Sequence, residues 1–175
     1  MTQPCQNIPF QNLETLLAWL DQRFFYCPET GQVTWLVDRR SRKVKGKPVG
    51  MKDRDGYLVT KIMYKQVKVH RLAWALYYRE DPCAMEIDHV NGVKDDNRIE
   101  NLRLATPSQN RCNRGALKPG HMKGTRPGRK PGSWEALIQY RNKCYFLGTF
   151  SSQVEAHAAY AAAARQMHGE FARVA

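Results

Sequence analysis

Ile87-Asp88-His89-Val90-Asn91-Gly92, then Asn101-Leu102-Arg103-Leu104-Ala105, then Thr106-Pro107-Ser108-Gln109-Asn110 are the pieces that decide how this chain is read. The first reads as a short strand end entering a glycine turn, the second as a strand, and the third as a helix start. Thr106 and Gln109 have the spacing of a capping box, and Pro107 sits at the first helical position, where no backbone donor is needed. Strand, loop, strand and helix in about 30 residues cannot bury a core alone, so a larger fold must surround them.

The same pieces carry the candidate chemistry. Asp88 supplies a hard carboxylate and Asn110 a hard carbonyl oxygen. Such ligands suit Mg²⁺ or a similar ion that keeps waters and takes phosphate oxygens. His89 is the one side chain here whose ordinary pKa lets it take a proton near neutrality. Neighbours on a strand point to opposite faces, so Asp88 and His89 share a site only if the backbone kinks there. Asn101 is expected to bond backbone across the loop and hold His89 in place. A lone Asp-His pair is most often a surface accident, and Asn-Gly most often just a turn. His70 reads as structural, and His121, His157 and His168 read as exposed or capping.

Working outward, Asn12 can cap a helix whose apolar residues Leu13, Leu16, Leu17, Leu20 and Phe24 follow the 3.6-residue period. Pro28 to Gly31 is turn chemistry, Gln32 to Val37 reads as a strand, and a basic run from Arg39 to Lys47 ends at Pro48. Tyr57 to Ile62 reads as a strand with Tyr64 to Val69 as its hairpin partner. Arg71 to Tyr78 is apolar nearly all round and reads as a buried helix. Glu86 to Gly115 turns polar and Asn-rich, which suggests a site. Residues 111–132 hold basic groups, no acid, and three Pro-Gly pairs, which reads as a linker. Ser133 to Tyr140 and Cys144 to Phe150 read as strands joined at Arg141-Asn142-Lys143. Ser152 and Glu155 then form a capping box for an alanine-rich helix that stops at Gly169.

The chain has 175 residues, 28 Lys+Arg against 16 Asp+Glu, and a formal net charge of +12. That excess points to a polyanionic partner, most commonly nucleic acid. No apolar run is long enough to span a membrane, and Met1 to Phe10 lacks the pattern of a secretory signal, so no membrane association is expected. Cys5, Cys27, Cys83, Cys112 and Cys144 are odd in number, widely spaced and without CxxC, which disfavours a zinc site or a disulfide framework and suggests a reducing compartment.

Residues 70–114 resemble the HNH endonuclease family, specifically the phage and group I intron homing endonucleases with a His-Me (ββα-metal) finger. The resemblance rests on His70 to Trp74, Ile87 to Gly92, Asn97 to Arg103, and Ser108-Gln109-Asn110, in order and at matching intervals. It implies that His89 is the general base, that Asp88 and Asn110 hold one Mg²⁺ (or Mn²⁺) per active site, and that Asn101 positions His89. Asn110 stands where the most literal form of the motif has His, a substitution known in the homing branch. Arg98, Arg103 or Arg111 would add charge near the scissile phosphate.

Residues 123–173 resemble a second family, the Apetala and ethylene-response-factor type DNA-binding domain, through Lys123 to Arg126, Trp134 to Ile138, Phe146 to Phe150 and Glu155 to Tyr160. This implies a three-stranded sheet in the major groove, backed by the alanine-rich helix. Alternation places Trp134, Ala136, Ile138 and Tyr140 toward the helix, and Glu135, Leu137, Gln139 and Arg141 toward DNA. Arg126, Arg129, Lys130 and Lys143 would add phosphate or base contacts. Leu137 and Gln139 replace the family's usual Arg and Glu readers, so its sequence preference does not carry over. Arg39, Arg40, Arg42, Lys43 and Lys45 are expected to track the duplex backbone, with Arg111 and Arg114 alongside.

The expectation is therefore an α+β protein. Its parts are an N-terminal α/β DNA-contacting region (1–69), a ββα-metal nuclease unit (70–114), a basic linker (115–122), and a C-terminal three-stranded sheet packed on one helix (123–175). The implied function is site-specific, metal-dependent cutting of double-stranded DNA by a monomer or weak homodimer, encoded by a phage or intron and acting in the host cytoplasm. A DNA-binding regulator with an inactive nuclease core and an RNA-binding protein are the rival readings.

Overall fold

The computed structural model describes residues 12–115 and 120–174, so Cys5 and part of the expected linker lie outside the described residues. The chain forms two compact units, residues 1–105 and 106–175. The expected boundaries at 69/70 and 114/115 fall inside these units.

In the first unit, Asn12 caps α1 (Leu13–Asp21), its Oδ1 accepting the Thr15 amide at 2.8 Å. The helical period runs on through Phe24, but the helix stops at Asp21 and Phe24 opens a strand that the sequence reading missed. This strand, β1 (Phe24–Cys27), pairs antiparallel with β2 (Gln32–Trp35). The run Phe-Phe-Tyr-Cys favours strand, and the Pro28-to-Gly31 turn folds it back. Phe24 keeps the expected burial and packs its ring 4.6 Å from Trp35.

A second sheet, in the order β3-β4-β5, comprises β3 (Met51–Lys52), β4 (Leu58–Ile62) and β5 (Lys65–Lys68). It leads into α2 (Val69–Tyr78). This helix buries its length up to Ala75 but leaves Tyr77 and Tyr78 exposed, so it is not enclosed all round. Finally β6 (Glu86–His89) and β7 (Leu102–Ala105) pair antiparallel, with Asp88 opposite Arg103 and His89 opposite Leu102. Leu20, Phe24, Val33, Leu72, Trp74, Ile87 and Leu102 belong to one core. The strand bearing Asp88 and His89 and its partner β7 thus rest on the same apolar mass as the N-terminal hairpin.

In the second unit, α3 (Pro107–Cys112) has the expected capping box with Pro at its start. The strands β8 (Thr125–Pro127), β9 (Trp134–Tyr140) and β10 (Lys143–Phe150) form a sheet in the order β10-β9-β8, against which α4 (Gln153–His168) packs. Ala136, Ala156 and Ala164 are fully buried, which lets helix and sheet approach closely around Ile138 and Tyr160. The Ser152 hydroxyl accepts the Glu155 amide, but the Glu155 carboxylate reaches back to Ser151 rather than to Ser152. The architecture is the α+β class that the sequence implies. No helix among the described residues is long and apolar enough to cross a membrane.

Gly31 ties the N-terminal hairpin to the site. It has φ +71°, and a Cβ there would stand 2.3 Å from the Arg98 nitrogen and 2.5 Å from the Asn97 carbonyl carbon. Neither backbone atom can yield as a flexible side chain does. Gly31→Ala is expected to cost about 2–4 kcal/mol from left-handed strain plus overpacking, read as a lower midpoint in urea denaturation.

Candidate active site

His89 ends β6 and is buried, 4% exposed. Its Nε2 lies 3.1 Å from Oδ1 of Asn97, itself 1% exposed. With the amide oxygen facing the ring, Nε2 carries the proton and donates it, which leaves the lone pair on Nδ1. Asn97 is fixed in turn through its main chain. The Tyr26 hydroxyl donates to the Asn97 carbonyl at 2.8 Å, and the Ile99 amide donates to the Pro28 carbonyl at 3.2 Å. The Asn97 Nδ2 is buried without a hydrogen-bond partner among the described residues.

The rest of the imidazole is walled by rings. His70 lies at 5.1 Å and Tyr57 at 5.9 Å between centroids, and Tyr57 also meets His70 at 5.5 Å. Lys68 and Lys94 place their ammonium groups 3.9 and 5.0 Å from the Tyr57 centroid. Burial pushes the His89 pKa below its ordinary value, opposed by the bond to Asn97 and by the charge of Asp88. His70, more deeply enclosed, is pushed well below by burial and by His89. Both rings are therefore neutral at physiological pH.

Asp88 is equally buried, and both Nε and one terminal nitrogen of Arg103 donate to its Oδ2, at 2.9 and 2.8 Å. Their opposition across the β6–β7 ladder puts the two groups on one face. His89, next along the strand, takes its own partner in Asn97 and also feels the Asp88 charge. Asn101 bridges the intervening loop. Its Oδ1 accepts the Asn91 amide at 2.9 Å, its Nδ2 donates to the Asp96 carbonyl at 2.7 Å, and its carbonyl accepts the Val90 amide at 2.9 Å. Arg98 spans Asp96 and Glu100, and holds the Asp96 carboxyl down to about 2. Asn110 lies on α3, in the second unit.

Asn97 and His70 are the residues to which sequence reasoning gave no role in the site. Both lie within the sequence motifs, but only the long-range burial of the first unit shows what they touch. Among the described residues no group of three His, Cys, Asp or Glu could hold a metal. A hard divalent ion at Asp88 would have to draw its remaining ligands from amide oxygen, water and a substrate phosphate, with Oδ2 already bonded to Arg103.

The expected DNA contacts fall into two settings. Arg39, Arg40, Arg42, Lys43 and Lys45 are exposed on a loop folded around Asp38, whose Oδ1 accepts the Val44 and Lys45 amides at 2.8 and 2.9 Å. In the second unit, Arg111, Arg114, Arg126, Leu137, Gln139 and Arg141 share the wall of one recess of about 690 Å³. No Asp or Glu lines it, while Lys123, pushed down to about 8 by burial, does. Arg141 sits in the β9–β10 turn at φ 48°, so the strand alternation that assigned it a face ends at Tyr140. Glu135 is half-buried and ion-paired to Arg126 at 2.7 Å. Arg129, Lys130 and Lys143 are exposed. His157 and His168 are half-buried and bonded rather than exposed: both nitrogens of His157 lie 2.9 Å from main-chain carbonyls, and His168 meets the Cys112 sulfur at 3.4 Å.

Comparison with known proteins bears on this geometry. The HNH endonuclease family model matches residues 67–112, the segment that holds His70, Asp88, His89, Asn97 and Asn101. Among similar proteins, one from Bacillus subtilis (strain 168), named as an SPbeta prophage-derived HNH homing endonuclease (YosQ), is 28% identical over 118 residues, covering 67% of this chain and 64% of its own. An uncharacterized HNH endonuclease, L245, of Acanthamoeba polyphaga mimivirus is 40% identical over 63 residues, covering 33% of this chain and 19% of its own. The solved structure of the HNH homing endonuclease I-HmuI is similar at 26% identity and a TM-score of 0.39, covering 54% of this chain and 52% of that one. The chain thus spans less than two thirds of the length of each of these relatives.

The buried histidines set a pH dependence of stability. Their folded pKa values lie below the unfolded value of about 6.5, so the unfolded chain binds more protons as pH falls through that window. Stability is retained above pH 6.5 and is lost progressively below it. Thermal melts between pH 8 and 5 should show this decline, and His70→Phe, which keeps a ring but cannot titrate, should flatten it.

Proposed function

We propose that this protein is a metal-dependent DNA endonuclease of the HNH homing type, with His89 as the general base. The observation that carries the reading is the buried His89–Asn97 pair beside Asp88, within the segment matched by the HNH endonuclease family model. The relative named as a homing endonuclease supports the same class.

Phosphodiester hydrolysis needs a nucleophile, a means of neutralising charge on the phosphorus oxygens, and a stabilised leaving group. His89 Nδ1 takes a proton from a water, whose oxygen attacks phosphorus as the bond to the leaving oxygen breaks. Asn97 keeps the other imidazole proton on Nε2 throughout, and Asn101 keeps the 90–98 loop at the height of β6. Asp88 would hold one Mg²⁺ or Mn²⁺, which when bound supplies neutralising charge at the phosphate. Asn110, the second ligand implied by the resemblance, lies on α3, the helix that follows β7 in sequence. Within this reading residues 70–114 are the nuclease segment and 115–122 the linker. The basic loop at 39–45 follows duplex phosphates, and the acid-free recess of the second unit supplies a further DNA surface. One catalytic histidine per chain makes a single chain a nicking enzyme, and a double cut takes two events or a weak dimer. The enzyme would act in the host cytoplasm on a specific site.

The Arg103–Asp88 ion pair favours a second reading, because a guanidinium already compensates the carboxylate that the metal requires. A DNA-binding regulator with an inactive core would keep that pair permanently.

Supercoiled-plasmid nicking separates the two. With Mg²⁺ the wild type should nick, chelation should stop it, and His89→Ala should slow it at least about 100-fold. Nicking that persists unchanged in His89→Ala overturns the assignment. Since His89 must be neutral to accept a proton and its pKa is lowered, the rate should hold its plateau to below pH 6.5. Asn97→Ala should lower the rate by about tenfold or more while duplex affinity, measured by gel shift, stays unchanged.

A further inference from the structure

The β4–β5 hairpin is closed by a two-residue loop, Met63-Tyr64, between the paired residues Ile62 and Lys65. Such loops need positive φ at both positions and are normally made from Asn-Gly. Met63 and Tyr64 adopt φ 45° and 67° instead, a conformation that side chains of this size rarely accept. The fold gains little burial in return: Tyr64 is 99% and Met63 40% exposed. The hairpin thus carries a strained, apolar tip whose tyrosine contributes nothing to its own core.

The surroundings of the tip select its partner. Lys61, Lys65 and Lys68 are exposed on the same hairpin, and residues 56–79 contain no Asp or Glu. An acid-free cationic ribbon tipped with a sulfur-containing side chain and an aromatic ring is complementary to a polyanion with stacked apolar rings inside it. From this the geometry points to Met63-Tyr64 as a wedge that inserts at a base step of duplex DNA, with the hairpin lysines on the flanking phosphates. The inference rests on the DNA-endonuclease reading above and adds to it the place where the protein deforms its substrate. A narrow loop presenting two side chains at its apex can enter a groove edge-on, which a broad sheet face cannot.

Full-length Met63→Asn/Tyr64→Gly tests this with little risk of misfolding, because the substitutions install the preferred turn residues. The double variant should melt at the same or a higher temperature than the wild type. It should bind a 30-base-pair duplex of arbitrary sequence, in EDTA, about tenfold more weakly. The dependence of affinity on salt should keep its slope, since no phosphate-binding charge is removed. A closed plasmid relaxed by a metal-independent type I topoisomerase should be unwound by the wild type and by Tyr64→Trp, but not by the double variant. Affinity and unwinding identical to wild type in the double variant would overturn the wedge alone and leave the nuclease reading intact. Loss of self-association in the variant, with duplex binding unchanged, would assign the tip to a second copy and equally overturn it. A wild type that binds no duplex while remaining folded would overturn both readings.

Discussion

Everything at the candidate site depends on one hydrogen bond, from His89 Nε2 to the amide oxygen of Asn97. An imidazole can accept a proton at only one nitrogen, and which one is set by what the other nitrogen meets. Here that partner comes from a loop eight residues downstream of His89, and the loop must be brought back to the strand it left. Asn101 does so by bonding to the amide of Asn91 and the carbonyl of Asp96. Tyr26 and the Pro28 carbonyl do so from the N-terminal hairpin, and Gly31 allows that hairpin to come close enough. The N-terminal region is therefore part of what holds His89 in place, and it shares one core with the strand that bears it.

Electrostatics divides the first unit in a complementary way. The segment 86–110 holds more acid than base, whereas the basic run from Arg39 and the acid-free hairpin carry the positive excess. Burial keeps both site histidines neutral, so the cationic surroundings do not rest on titrating groups. Of the chain's formal net charge, residues 1–105 hold +4 and residues 106–175 hold +8, and the carboxylate at Asp88 faces Arg103 as its local compensation.

Much of this was legible in the sequence because its signals are local. The Asn12 cap, the Thr106–Gln109 capping box, the β6–β7 strands and the alanine-rich α4 all follow from residues within one or two turns of each other. Phe24 shows where local reading failed: its helical spacing correctly gave burial but not element, since the aromatic run and the following turn favour a strand. The Met63-Tyr64 turn carried no Asn-Gly signal, so Tyr64 read as part of a strand. His70 and Asn97 could not be assigned because their roles come from packing across 19 and 8 residues of sequence onto one imidazole. Arg141 failed for a geometric reason, as a period-two pattern says nothing about where the strand ends.

The tautomer of His89 tests this account most directly. Two-dimensional ¹⁵N–¹H correlation spectra of the imidazole at neutral pH, assigned by comparison with His89→Gln, distinguish a protonated Nε2 from a protonated Nδ1. The account requires the proton on Nε2 in the wild type and a mixture of tautomers in Asn97→Ala. A proton on Nδ1 in the wild type would mean that Asn97 donates to the ring rather than accepting from it, and would contradict the role given to His89.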